Sequence, residues 1–214
     1  MAMPPANILA MFFLSALLLA LAPGPDNLFV LAQSAQHGKK AGLAVTAGLC
    51  TGLIVHTTAV ACGVAALVIG SPMAFDALKY CGAAYLLWLA WLSFRANASA
   101  DASGAAAARM PATPVHRLYG RGIIMNITNP KVLVFFLAFL PQFASPKYGA
   151  MPPQILMLGI LFILATIIVF GAISLLAGTF GERLKTSRTG QLVLNWLTGT
   201  LFTALAIRLV LFRN

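Results

Sequence analysis

Apolar side chains gather along this chain in six long blocks, near residues 7–36, 41–68, 73–94, 120–142, 152–178 and 191–211. Each block is long enough to cross a bilayer as a helix, which takes about 20 residues. The polar and turn-forming positions fall between them. GSPMAF (70–75) and ASPKYGAMPP (144–153) carry the Pro and Gly of tight connections. RANASADASGAAAARMPATPVH (95–116) is the one long stretch of small and polar residues. The pattern predicts an all-α integral membrane protein of six transmembrane helices. Residues 1–94 form a first three-helix repeat, 95–119 a cytoplasmic linker and 120–214 a second three-helix repeat.

The first block does not read as one helix. Within LALAPGPDNLFVLAQ (19–33), Pro23, Gly24 and Pro25 interrupt an apolar run and a carboxylate, Asp26, follows at once. Three spans per half is an odd number, so related halves must be inserted with opposite orientation, and the second half should hold a counterpart. It does, in MNITNPKVLVFFLAFLPQF (125–143). Laying GPDNLFVLA (24–32) on NPKVLVFFL (129–137) puts Pro25 on Pro130 and Asp26 on Lys131. Gln36 ends the first block eleven residues after Pro25, and Pro141 ends the fourth eleven residues after Pro130. At 1.5 Å per residue each distance is about 16 Å, half of a ~30 Å hydrocarbon core. Both breaks are therefore expected near the midplane, approached from opposite sides, with helices 1 and 4 broken.

Proline has no N–H and clashes with the preceding turn, so each proline should begin a new half-helix. Such a start presents free N–H groups and a partial positive charge, which favours an anion such as a carboxylate. Asp26 is suited to an ammonium or a proton. Lys131 is suited to a carboxylate or to Asp26 itself. A charge at that depth costs about 3 kcal/mol or more, and discontinuous helices at matching places in inverted halves point to a transporter binding site. The bland alternative is that Asp26 caps its half-helix with Lys131 as counter-ion. Asn27, Asn126 and Asn129 are candidates either to cap the exposed backbone or to touch a substrate.

Composition agrees with the blocks. The chain of 214 residues is 60% hydrophobic and only 8% charged, with mean hydropathy +0.91, where a soluble domain carries roughly 25% charged residues. The net charge of +10 invites a nucleic-acid reading. The basic residues, however, lie in the connections, with no basic stripe or interleaved aromatics, so no nucleic-acid partner is expected. Nine Lys and Arg fall in the connections after the first, third and fifth blocks, and four on the other side: Lys79, Lys147, Arg208 and Arg213. That bias places the odd-numbered connections in the cytoplasm and both termini outside. The ALA at 20–22 resembles a signal-peptidase site, but no Lys or Arg precedes it and Pro23 follows the cut, so the segment is read as a span.

Cys50, Cys62 and Cys81 lie in apolar blocks at spacings that suit neither a disulfide framework nor a metal. No metal, cofactor or catalytic residue is expected: there is no H-E-x-x-H and no nucleophile–base pair. His56 in the second block reads as an interior histidine or a proton relay. Gln33, Ser34 and Thr51 read as interhelical polar contacts, and Gly38, Gly42, Gly48 and Gly52, with G-x-x-x-G at 48–52, as a close-packing face. Trp88, Trp91 and Trp196 suit membrane-interface belts.

APGPDN (22–27), HGKKAGLAVTAGLCTGLIVH (37–56), CGAAYLLWLA (81–90) and NITNPKVLVFFLAFLPQF (126–143) together resemble the lysine-exporter (LysE/RhtB) superfamily, especially its homoserine/threonine-exporter branch. The resemblance spreads over the first 143 residues; the last third matches in hydropathy alone. It implies a multi-pass exporter of amino acids in the bacterial cytoplasmic (inner) membrane, driven by protons. It carries a substrate region onto Pro23, Gly24, Pro25, Asp26, Asn129, Pro130 and Lys131, and strengthens His56 as a proton-coupling residue beside Asp26. With a single acid at the site, neutral amino acids are the expected cargo. A small-ion channel or carrier and a membrane-embedded enzyme are the rival readings, and the sequence leaves room for a homodimer.

Overall fold

In the computed structural model, residues 4–70, 72–96, 113–186 and 188–211 are described, and they are helical almost throughout. α1 spans Ala6–Leu21 and α2 Pro25–His37; α3 spans Lys39–Gly70 and α4 Pro72–Arg95. α5 covers Val115–Thr128, α6 Pro130–Val134, α7 Met151–Thr186 and α8 Arg188–Leu211. Among the described residues, α3 and α7 are long and apolar enough to cross a membrane alone. α1 with α2, and α5 with the segment Pro130–Phe143 that α6 begins, pass the same measure as bent spans, which gives up to four. α4 is not among these, and the apolar part of α8, Asn195–Leu211, is shorter than the measure requires.

Both expected breaks exist. α1 stops at Leu21, and α2 restarts with Pro25 at its first position, after an extended Gly24. α5 stops at Thr128, and α6 restarts with Pro130 at its first position. The chain bends by 61° at the first break and 52° at the second. A proline is at home in a first turn, where its missing N–H would have no partner anyway.

The rest of the fourth block departs from a plain helix. α6 passes into a π-helical turn at Phe135–Phe139 and a 3₁₀ turn at Leu140–Phe143. Pro141 is the cause: it cannot donate to the Leu137 carbonyl and its ring crowds that turn. The helix widens ahead of it, and the Leu140 N–H reaches back to the Phe135 carbonyl. Part of the expected linker is helical. Residues 115–119 belong to the first turns of α5, because Pro114 starts the helix further upstream than the apolar block does. Residues 97–112 of that linker lie outside the described residues.

Phe12, Phe135, Phe136, Phe139, Phe143 and Phe162 form a buried aromatic cluster joining α1, the π turn and α7. Arg208, counted above with the outward connections, sits inside α8 with its guanidinium 3.9 Å from the Phe143 ring centroid. The loop before α7 turns through Gly149 at φ 103°. It is held by Gln154, whose side chain accepts from the Ser145 N–H and donates to the Ser145, Gly149 and Ala150 carbonyls.

Gly42, Gly48 and Gly52 of α3 pack closely as their spacing suggests, but Gly38 does not belong to that face: it ends α2 at φ 82°, and a methyl added there would meet nothing within 4 Å. A methyl added at Gly48 would run into the Tyr119 backbone carbonyl and come within 3.0 Å of Gly122 Cα. One at Gly52 would come within 2.7 Å of the Asn126 side chain. Gly48→Ala should therefore destabilise the protein by about 1–3 kcal/mol through overpacking against backbone that cannot yield. Gly171→Ala, where an added methyl meets nothing within 4 Å, is the control. Thermal unfolding in detergent should separate the two, and equal melting temperatures would refute the close crossing.

Candidate functional site

The two breaks meet. A helix end leaves its last four carbonyls without partners inside the helix. At the end of α1 the Leu18 carbonyl accepts from the Ala22 N–H, and the Ala20 carbonyl accepts from Asn27 Nδ2 at 2.8 Å. The Leu19 and Ala22 carbonyls accept from Lys131 Nζ at 3.2 and 3.0 Å. The lysine of the second break thus closes the frayed end of the first. A cation at a helix C-terminus also meets the negative end of its dipole.

The reverse tie runs through Asn129, whose Nδ2 donates to Asp26 Oδ2 at 2.8 Å. The same Asn129 caps α6, its Oδ1 accepting from the Lys131 N–H at 3.0 Å. α2 has no such side-chain cap. Asp26 and Lys131 do not touch as an ion pair: among the described residues the single carboxylate–cation contact within 4.0 Å is Lys79–Asp76. Lys131 is bound to backbone instead, and Asp26 keeps its second oxygen unused. Three buried oxygens here have no hydrogen-bond partner: Asp26 Oδ1, Asn27 Oδ1 and Asn126 Oδ1. An unpaired acceptor in the interior is costly, and three of them suit a donor with several N–H groups.

Gly24 packs close to the lysine. A Cβ there would lie 3.3 Å from Lys131 Nζ, so a larger residue would press on the ammonium. Pro23 lies in the break between Ala22 and Gly24, and Pro25 and Pro130 open their half-helices. His56 is one step removed. Its Nε2 lies 3.3 Å from the Asn126 carbonyl and its ring 5.5 Å from that of Phe136. A carbonyl only accepts, so Nε2 carries the proton in that contact. His56 therefore serves the end of α5 much as Lys131 serves the end of α1.

Asp26, Asn126 and Lys131 line an internal cavity of about 20 Å³. That is room for about one water molecule. The remaining lining includes Leu49, Phe162, Thr166 and Phe170. The last three recur at every fourth residue of α7, one face of that helix. Pattern reading missed this wall, because α7 is apolar on all sides and the only sign was one hydroxyl between two phenylalanines. Among the described residues no three His, Cys, Asp or Glu gather as a metal site would require.

The profile of a family described as LysE type translocator matches residues 17–212 of this chain. The homoserine/homoserine lactone efflux protein of Salmonella typhimurium is 35% identical over 191 residues, 89% of this chain and 90% of that protein. The leucine efflux protein of an Enterobacter species is 32% identical over 203 residues, 92% of each. An uncharacterised membrane protein of Vibrio cholerae is 32% identical over 191 residues, 89% and 90% of the two chains. No solved structure matches.

Proposed function

The chain belongs to the LysE type translocator family, and from that premise we propose that it exports neutral amino acids across the bacterial inner membrane in exchange for protons. One observation carries the reading: a carboxylate and an ammonium, each from a different broken helix, face one small buried space. A neutral amino acid is itself an ammonium beside a carboxylate. Its ammonium would take the unused oxygens of Asp26 and Asn126, which line the cavity. Its carboxylate would draw Lys131 off the α1 carbonyls and use the uncapped start of α2. Among the described residues no further charged group lines the cavity to balance a charged cargo side chain. The relatives named for homoserine and leucine efflux support that class.

In this reading α4 and α8 complete six spans, arranged as two three-helix units of opposite orientation on either side of the linker. The packing supports it. α3 against α7 and α4 against α8 are the pairs that a two-fold axis would bring together, and α3 on α5 is matched by α7 on α1. Alternating access then rocks one unit against the other about the breaks. A proton from outside replaces the cargo ammonium on Asp26, frees the cargo outwards, and travels in on the return. His56, bound to the carbonyl of a cargo residue, is the second candidate to handle that proton.

Counterflow in proteoliposomes is the direct test. Unlabelled threonine loaded inside should speed entry of labelled threonine, and an imposed pH gradient should drive net movement. A current without counterflow would favour the channel reading. Chemical conversion of the amino acid would favour an enzyme.

A further inference from the structure

We infer that Thr166 is the residue that reads the side chain of the cargo. The inference rests on the amino-acid site proposed above and deepens it. Thr166 is 2% exposed and lines the cavity shared by Asp26 and Lys131. A hydroxyl buried in a helix ordinarily donates to the carbonyl four residues back. Ser34, Thr46, Thr57 and Ser174 all do so, to Val30, Gly42, Leu53 and Phe170. Thr166 is the exception. Its hydroxyl makes no hydrogen bond to a described residue. As a lining residue of the cavity, Thr166 is placed to offer that donor and acceptor to a cargo.

The division of the lining gives that hydroxyl its role. Asp26, Asn126 and Lys131 match the ammonium and carboxylate common to every amino acid, so they cannot tell one from another. Leu49, Phe162 and Phe170 are apolar and set only size. Thr166 adds the one side-chain hydrogen-bonding group outside the charged part of the site. A cargo whose side chain carries a hydroxyl can satisfy it. An aliphatic cargo of the same shape leaves it buried and unpaired, and a site built to hydrogen-bond a hydroxyl rejects the analogue that lacks one.

Threonine and valine are the matched probes, since they differ by a hydroxyl in place of a methyl. Counterflow of each is measured in proteoliposomes with the wild-type chain and with Thr166→Val, which keeps the shape, and Thr166→Ser, which keeps the hydroxyl. The wild type should prefer threonine. Thr166→Val should cut the threonine-to-valine ratio about 10-fold, mainly through the KM for threonine. Thr166→Ser should keep the preference. If the valine variant does not insert, Thr166→Ala gives the same comparison. Counterflow of both probes with an unchanged ratio in the hydroxyl-free variant overturns the role of Thr166 and leaves the transport reading standing. Absence of counterflow for any amino acid in the wild type overturns both.

Discussion

Asp26→Asn should leave the chain folded and inserted and abolish proton-driven efflux. The substitution keeps the shape of the side chain and an oxygen to accept from Asn129 Nδ2, which now lies 2.8 Å from Asp26 Oδ2. The tie between the breaks therefore survives. What goes is the negative charge. A hydrogen bond to a charged group contributes about 1.5–3 kcal/mol, so affinity for the cargo ammonium should fall by roughly 10- to 150-fold at 1.4 kcal/mol per tenfold. More important, the amide cannot take up a proton, so efflux should no longer respond to a pH gradient. The measurement is efflux from loaded proteoliposomes at several imposed gradients. Wild-type rate with wild-type pH dependence would reduce Asp26 to a shaping element of the first break, and His56 would become the group to test.

Lys131→Met should cost both stability and transport. Methionine has similar length and no charge, so the packing is kept while the donor is lost. The Leu19 and Ala22 carbonyls, now held at 3.2 and 3.0 Å, would be left at a buried helix end without partners. At about 1–3 kcal/mol for each orphaned group, the loss is roughly 2–6 kcal/mol. The variant should melt well below the wild type in detergent and should bind amino acid weakly, because the carboxylate loses its cation. An unchanged melting temperature would mean that the ammonium does not hold the end of α1. Loss of transport with full stability would then assign Lys131 to the cargo alone.

The two sites of substitution were legible in the sequence because a proline followed by a charge inside an apolar block leaves few physical options. The glycines of α3 were legible for a similar reason: a four-residue spacing of small residues is informative only as a close crossing, and Gly48 and Gly52 lie against Gly122 and Asn126. What spacing could not give is which donor serves which acceptor. Lys131 could be paired with Asp26 on charge alone, yet its ammonium lies on backbone carbonyls, because a helix that stops in the interior needs donors more than a nearby carboxylate needs a cation. Asn27 was a candidate cap or cargo contact, and its amide nitrogen serves α1 while its oxygen remains unused. The π turn before Pro141 had a visible cause, but whether a helix answers a proline by kinking or by widening depends on the surrounding packing, here six phenylalanines. Thr166 and its wall were hidden by the uniform apolarity of α7.

The tightness of the cavity has a consequence for affinity. About 20 Å³ will not admit an amino acid, so this conformation is one the cargo cannot enter. In the function proposed above, loading waits for molecules in which the breaks have drawn apart. If these are ~1% of the total, the measured dissociation constant is ~100-fold weaker than the intrinsic one. If the cargo binds as proposed, Lys131 on α1 and Asn129 on Asp26 are rivals of the cargo as well as supports of the fold. A change that loosens those ties without altering the lining should make the protein grip its cargo more readily, and leak it more readily too, since the same closed state that excludes the cargo also stops it from slipping back.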